Sequence, residues 1–370
     1  MQRDRIVFHT FNALRFFAFF RVFLLHLPEP EVNSFLHSFI WKGGGIGVDF
    51  FFVLSGFLIT YLLAYEQLST GRINARNYFL RRSLRIWPLY FLGVALAYSN
   101  NFITEYWSLG SQEGYDPNPL FSLTFLENYQ MIARDNFPNG APLRVFWSLC
   151  VEEHFYLLWL LLFLCIPVKH LPRTFAILWL VGIAYRIGFY RMFPAKEYYD
   201  IDVVSKLDYF CAGGMAGFVV AKQFDAVQQW LQRIPAFVRN GWTILVIVFF
   251  FGYQLFFEGR INDLYFPVIS ATLFAGLLLL VATSTCFLHI KETHVLSRLG
   301  KISYGLYVYH TLVILTLLAI AKKAGITVSG GLGYLVVGIL SFAGTVLISH
   351  LSYRYFESYF LGLKKKKLAA

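Results

Sequence analysis

The stretch of sequence that decides the fold is GIGVDFFFVLSGFLIT, residues 45–60. It opens an apolar segment of membrane-spanning length and carries a carboxylate, Asp49, at the rim of that segment. A carboxylate at the edge of hydrocarbon is costly, so it usually has a partner or a function. The preceding apolar run ends at His26, and two consecutive membrane helices place such ends on the same side of the bilayer. His26 is therefore the nearest candidate partner of Asp49.

The composition of the whole chain extends this interpretation to a membrane protein. Hydrophobic residues make up 57% of the chain and charged residues only 14%, which lies far outside the range of soluble domains. A transmembrane helix needs about 20 apolar residues. We therefore predict an all-α, polytopic integral membrane bundle of about ten transmembrane helices. The predicted spans are residues 8–27, 46–65, 84–101, 147–167, 174–192, 205–221, 241–257, 266–287, 302–321 and 331–351.

The distribution of basic residues predicts the orientation of these spans. With both termini in the cytoplasm, the inner segments hold most of the 32 Lys and Arg residues, including the run Lys364 to Lys367. Because basic residues accumulate in cytoplasmic loops, both termini are predicted to be cytoplasmic. Topology and anionic lipid also account for the net charge of +11, so this charge does not indicate a nucleic-acid partner.

The sequence indicates one domain with little mass outside the lipid bilayer. We predict a single transmembrane domain over residues 1–370, with an outer loop at about 102–146 and a cytoplasmic basic tail at about 352–370. In the outer loop, apolar residues recur at helical spacing near Leu120 to Tyr129 and predict a short half-buried helix. The four cysteines show no CxxC pair and no metal-ligand spacing, so no metal site is expected. Any chemistry is therefore expected within the bundle.

Arg15 and His26 are predicted to lie on one face of the first helix. They are eleven residues apart, which is three turns plus about 20° at 100° per residue, with a rise of about 16 Å. An arginine in the inner half and a histidine near the outer edge could line a channel for an elongated anionic molecule. The alternative is that Arg15 reaches back to the inner interface and His26 only meets lipid headgroups.

A second pair of basic residues begins the third span, in RRSLRIWPLY at residues 81–90. Arg82 and Arg85 are three residues apart, so both guanidinium groups lie on one helix face. Guanidinium groups match the geometry of phosphates, which makes the pair a candidate phosphate site. The alternative is simple anchoring by positive charge on the cytoplasmic side.

Two adjacent carboxylates begin the fourth span, in WSLCVEEHFY at residues 147–156. Glu152 and Glu153 are expected at the outer face, where His26 and Asp49 are also expected, and a carboxylate there could tune proton transfer. Acids at a helix start can equally favour the positive end of the helix dipole or form part of a cap.

Six short motifs, taken in chain order, point to one family. They are Arg15 with His26, GVDFFFVLSG at 47–56, RSLRIWP at 82–88, WSLCVEEHFY at 147–156, GKISYGLYVYH at 300–310 and SYRYFE at 352–357. Together they resemble the membrane acyltransferase-3 family over essentially the whole chain. Arg21 departs from the pattern, because that family usually has an apolar residue between the matched arginine and histidine.

The resemblance implies transfer of an acyl group, commonly acetyl from acetyl-CoA, to a hydroxyl of a carbohydrate or other cell-envelope acceptor. It implies a multi-pass protein of the bacterial inner membrane, with acyl-CoA as donor substrate and no permanently bound cofactor. In that family the histidine matching His26 is regarded as catalytic, and the arginines matching Arg82 and Arg85 as donor contacts. No extracytoplasmic hydrolase module follows the bundle, so a relay to a fused second domain is not expected.

The residue patterns and the family resemblance together predict one mechanism. Acyl-CoA is expected to dock from the cytoplasm with its phosphates on Arg82, Arg85 and Arg15, and to extend its pantetheine arm towards His26. A neutral His26 then takes the proton of the acceptor hydroxyl.

Asp49 is expected to orient the ring of His26 and to stabilise its protonated form. Glu152 or Glu153 could fill that role instead, and a covalent acyl-His26 intermediate stays open.

A transporter or channel for a lipid-linked sugar or a small anion is the alternative function. The charged residues within the predicted spans would mark its path, namely Arg15, Arg21, Asp49, Arg186 and Arg191. No inverted repeat or pair of broken helices supports this alternative. The sequence indicates neither the acceptor nor the oligomeric state.

Overall fold

The architecture of the chain is a bundle of helices. The computed structural model describes residues 5–28, 43–107, 114–198, 200–255, 262–326, 328 and 330–369. The helices are α1 (Thr10–Leu25), α2 (Ile46–Thr70), α3 (Ala75–Trp107), α4 (Pro119–Leu123), α5 (Glu127–Arg134), α6 (Leu143–Cys165), α7 (Leu171–Met192), α8 (Leu207–Arg233), α9 (Ala236–Gly252), α10 (Asn262–Ala282), α11 (Val295–Lys301), α12 (Ser303–Lys323), α13 (Gly330–Ser352) and α14 (Ser358–Ala369). Within these ranges the only extended pairing is one isolated bridge between Tyr115 and Pro138. The prediction of an all-α fold is therefore confirmed.

The described residues contain fewer candidate membrane spans than the sequence predicts. In the described ranges, six helical segments are long and apolar enough to cross a membrane, or seven if the bent pair α8 and α9 forms one span. They are Ile46–Thr70, Leu143–Cys165, Val168–Met192, Tyr265–Ala282, Ser303–Lys323 and Leu332–Leu363. The multi-pass character of the chain follows from these helices, but the count of about ten is not confirmed.

Local features explain the difference in count. Helix α1 has only 16 residues, a length of about 24 Å at 1.5 Å per residue, against about 30 Å of hydrocarbon. The predicted spans 205–221 and 241–257 belong to α8 and α9, which meet at a bend of 100°. Helix α3 has 33 residues, but its first half carries arginines and it contains Pro88.

In its described residues, the predicted outer loop contains two short helices instead of one. Helix α4 begins where Asn118 accepts a hydrogen bond from the Leu120 backbone N–H, at 2.9 Å. It ends before Phe125, whose φ of 59° lies in the left-handed region and breaks the helix predicted near Leu120 to Tyr129. Part of the loop, residues 108–113, and the side chains of Lys364 to Lys367 in the basic tail lie outside the described residues.

Helices α2 and α8 pack in close backbone contact because glycines line their interface. A Cβ atom on Gly213 would lie 1.9 Å from the Val53 carbonyl oxygen, and one on Gly217 would lie 2.2 Å from that of Phe57. From the other side, a Cβ on Gly56 would lie 2.4 Å from the Phe210 carbonyl oxygen. Small residues let membrane helices approach to backbone contact in this way. Helix α2 is thereby held between α8 and α1.

Candidate active site

An open cavity collects the three arginines that the sequence singles out. Its empty space, including the mouth, is about 930 Å³, and Arg15 from α1 and Arg82 and Arg85 from α3 line it. The spacing of three residues in α3 does place both guanidinium groups at one site, and α1 adds the third. Like charges around one cavity repel each other, so the arrangement favours an anionic ligand with several charged oxygens.

The three guanidinium groups differ in how firmly the protein holds them. Arg15 donates a hydrogen bond to Asn12 Oδ1 at 2.9 Å. Arg82 lies over the rings of Tyr78 and Tyr156, 5.7 and 5.8 Å from their centroids, and its buried Nε atom has no hydrogen-bond partner. Arg85 is exposed and makes no hydrogen bond or ion pair with any described residue. Donor groups therefore remain available in the cavity.

The rest of the cavity wall is mostly apolar. Its apolar residues are Val48, Phe51, Phe52, Leu54, Leu58, Ile59, Ile86 and Leu149; Ser55, Ser148, Tyr156, Ser303, Tyr304 and Tyr307 add hydroxyl groups, and Glu152 adds a carboxylate. A basic mouth and an apolar wall with scattered hydroxyls suit a ligand with charged groups at one end and a thin, less polar arm.

Glu152 and Glu153 point to different places, although they are neighbours in sequence. Glu152 lines the cavity and accepts a hydrogen bond from Ser55 Oγ. Glu153 is buried and accepts a hydrogen bond from Trp87 Nε1 at 3.1 Å. Among the described residues neither carboxylate contacts His26. Glu152 lies in the cavity with the arginines, and Glu153 is bonded to Trp87 of α3.

His26 follows the last residue of α1, where the backbone hydrogen bonds shorten from an i to i−4 to an i to i−3 pattern. Its backbone N–H bonds to the Phe23 carbonyl at 3.2 Å, which leaves the Val22 carbonyl for the side chain. The ring nitrogen Nδ1 lies 2.8 Å from that Val22 oxygen. A carbonyl oxygen only accepts, so the proton of the neutral ring lies on Nδ1 and the lone pair on Nε2. His26 therefore has the tautomer of a general base that acts through Nε2.

His26 is not one of the residues that line the arginine cavity, but two residues of α12 connect them. Tyr307 lines the cavity and its carbonyl oxygen lies 2.7 Å from His310 Nδ1. On the far side, His310 Nε2 lies 3.3 Å from His26 Nδ1. In the sequence, His310 is only the last residue of the motif at 300–310; in the structure it connects α12 to His26 at the end of α1.

The predicted contact between Asp49 and His26 is absent from the described residues. Asp49 instead lies 3.7 Å from Lys206 Nζ, which also contacts Asp200 Oδ2 at 2.9 Å. Asp49 does not reach His26 because a different face of α2 contacts α1. A Cβ on Gly47 would lie 2.3 Å from the Ala18 carbonyl oxygen, so position 47 faces α1 and position 49, about 200° further round, faces α8.

The sequence analysis does not identify Lys206, which contacts both Asp49 and Asp200. Its side chain is 7% exposed and lies against the rings of Trp147 and Tyr209, at 6.0 and 5.7 Å. The available signal was its position among acids, in DIDVVSKLD at residues 200–208. A buried lysine between two carboxylates indicates a structural role for Asp49.

The pairing of Lys206 with Asp49 gives a testable expectation for Lys206→Met. The change leaves the carboxylate of Asp49 buried without its cation, so we expect a loss of about 2 kcal/mol in the free energy of unfolding, below the roughly 3–5 kcal/mol of a fully buried pair. Thermal unfolding in detergent measures it. Adding Asp49→Asn should restore part of the loss, whereas a further loss in the double variant would contradict the pairing.

Comparisons with known proteins agree with the geometry. A family described as an acyltransferase domain matches residues 8–351. The chain is similar to the O-acetyltransferase OatA of Staphylococcus aureus, at 28% identity over 94% of this chain and 56% of that protein. It is also similar to the peptidoglycan O-acetyltransferase OatA of Listeria monocytogenes, at 28% identity over 96% of this chain and 58% of that protein. The chain thus spans about half the length of these relatives. No solved structure matches it.

Proposed function

This chain belongs to the acyltransferase-domain family, and from that premise we propose that it is a membrane O-acetyltransferase. The donor is acyl-CoA, specifically acetyl-CoA, from the cytoplasm, and the acceptor is a hydroxyl group of a cell-envelope glycan such as peptidoglycan. The observation that carries the proposal is the cavity in which Arg15, Arg82 and Arg85 meet, which α12 connects to His26 through Tyr307 and His310. The names of the relatives support the acetyl group and the glycan.

The cavity suits coenzyme A as a donor. Its phosphates match guanidinium groups. Arg85 makes no hydrogen bond to a described residue, and the buried Nε of Arg82 has no partner among them. The pantetheine arm would then lie along the apolar wall of Phe51, Phe52 and Leu58. This orientation carries the thioester from the basic mouth towards Tyr307 and the end of α1.

His26 is proposed as the general base. As the acceptor oxygen attacks the thioester carbonyl, Nε2 takes the hydroxyl proton. The tetrahedral intermediate then collapses, the C–S bond breaks, and the proton on His26 passes to the departing thiolate of CoA. The products are the O-acetyl ester and free CoA, so one thioester is used for each ester formed.

The proposed topology follows from the same cavity. With acyl-CoA in the cytoplasm, the mouth at the beginning of α3 faces inwards, and both termini lie on that side. His26 then lies towards the outer face of the bacterial inner membrane, where a glycan hydroxyl can reach it.

Replacement of Arg85 by alanine tests the donor site. A guanidinium–phosphate bond contributes about 1.5–3 kcal/mol, so the KM for acetyl-CoA is expected to rise by about 10- to 100-fold. The kcat should change little because Arg85 binds the donor far from the reacting bond. Steady-state kinetics of CoA release in proteoliposomes measure both constants.

Arg81→Ala is the matched control. Arg81 lies one turn earlier on α3 and does not line the cavity, so the same loss of charge should leave the donor KM unchanged. Equal donor constants for the two variants would contradict phosphate recognition by Arg85.

A further inference from the structure

His26 and His310 form a pair of histidines across the contact between α1 and α12. We infer that His310 is the positioning residue of His26: its Nε2 accepts the His26 Nδ1–H, holds the ring and stabilises its protonated form. This inference rests on the proposed role of His26 as the base. In other histidine-based sites a carboxylate fills this position.

The hydrogen bonds fix the proton positions of both rings. His310 Nδ1 lies 2.7 Å from the Tyr307 carbonyl oxygen, so this nitrogen carries the proton in the neutral ring. The lone pair of His310 is then on Nε2, 3.3 Å from the protonated Nδ1 of His26. Val22 and His310 thus offer two acceptors to one N–H, and Nε2 of His26 keeps its lone pair for the acceptor hydroxyl.

The surroundings of His310 keep water out and the ring in place. The side chain is fully buried, with an exposure of 0%. Phe19 of α1 meets the ring edge-on at 5.8 Å, and the ring of Tyr307 lies 5.6 Å away. The two imidazole rings themselves are 4.9 Å apart and tilted by 73°. A buried acceptor held in this way costs no reorganisation when His26 becomes positively charged.

Within the part of the chain that the structure describes, the three carboxylates predicted near His26 all have other partners. Asp49 pairs with Lys206, Glu152 lies in the arginine cavity and Glu153 bonds to Trp87. When His26 gains a proton at Nε2, the charge spreads over the ring and its Nδ1–H becomes a stronger donor. Among the described side chains, His310 offers this N–H an acceptor, its Nε2 at 3.3 Å.

Two substitutions of His310 separate the acceptor role from a packing role. An asparagine can still donate to the Tyr307 carbonyl through Nδ2 but places no atom near His26, whereas a glutamine oxygen can reach the position of Nε2. We expect His310→Asn to lower kcat by about 10²-fold, the lower end of what a general base contributes, with the donor KM unchanged. His310→Gln should recover most of that loss. Equal losses in the two variants, at matched thermal stability, would overturn the inference.

A second measurement does not depend on turnover. In wild-type protein labelled with 15N-histidine in lipid, a 15N–15N correlation between His26 Nδ1 and His310 Nε2 is expected and should vanish in His310→Asn. Its absence from the wild type would overturn the pairing even if acyl transfer is found. If the wild type transfers no acyl group, the proposed function fails, and this spectrum still decides whether the two rings are bonded.

Discussion

Replacing His26 by alanine is expected to lower the rate of acyl transfer by about 10²- to 10⁴-fold, the contribution of a positioned general base. The acceptor hydroxyl would lose the only group proposed to take its proton. Donor affinity should stay the same because His26 does not line the arginine cavity. The measurement is kcat and the donor KM for CoA release, together with the amount of folded protein.

A histidine elsewhere in the chain provides the control for this substitution. His289 is exposed, and its backbone N–H bonds to the Phe287 carbonyl at 2.9 Å. His289→Ala removes an imidazole of the same size and should leave the rate unchanged. Undiminished transfer by His26→Ala would remove His26 from the mechanism, and with it the positioning role of His310.

The second large effect is a loss of stability, expected from a substitution in the contact between α2 and α8. Gly213→Ala would place a Cβ atom 1.9 Å from the Val53 carbonyl oxygen, and backbone cannot rotate away as a side chain can. Helices α2 and α8 must then separate, so the expected loss of stability is about 3 kcal/mol or more, the upper end of overpacking in a core. The unfolding temperature in detergent and the yield of monodisperse protein measure this loss.

Gly188→Ala in α7 is the matched control for the same added methyl group. No heavy atom lies within 4 Å of a Cβ at position 188. Because alanine favours a helix over glycine by about 1 kcal/mol, this variant should be as stable as the wild type or slightly more stable. Equal stability of the Gly213 and Gly188 variants would contradict the close packing of α2 on α8.

Local patterns in the sequence were enough to predict the helices and the arginine cluster. Apolar runs mark the buried spans, and a spacing of three residues places Arg82 and Arg85 on one face of α3. Both features depend only on helix geometry within one element, which the sequence encodes directly. The number of spans depends in addition on bends such as that between α8 and α9, which composition does not reveal.

Contacts between helices were harder to predict because they depend on which faces meet. Asp49 and His26 share a side of the membrane in the sequence-based topology, yet the contact of Gly47 with α1 turns Asp49 towards Lys206. His26 and His310 are 284 residues apart, so no local pattern joins them. A polar residue at a helix end predicts that a partner exists, and the packing of the helices decides which partner it is.

The central claim is that the arginine cavity binds a cytoplasmic acyl thioester and that His26, as the general base, allows a hydroxyl group to attack it. The most direct measurement is the release of CoA by purified protein in proteoliposomes, with acetyl-CoA on the side of the α3 mouth and a peptidoglycan fragment as acceptor. The account predicts one free CoA for each O-acetyl group formed, and both products appearing at least about 10²-fold more slowly with His26→Ala. Folded wild-type protein that forms no ester and releases no CoA under these conditions would contradict it.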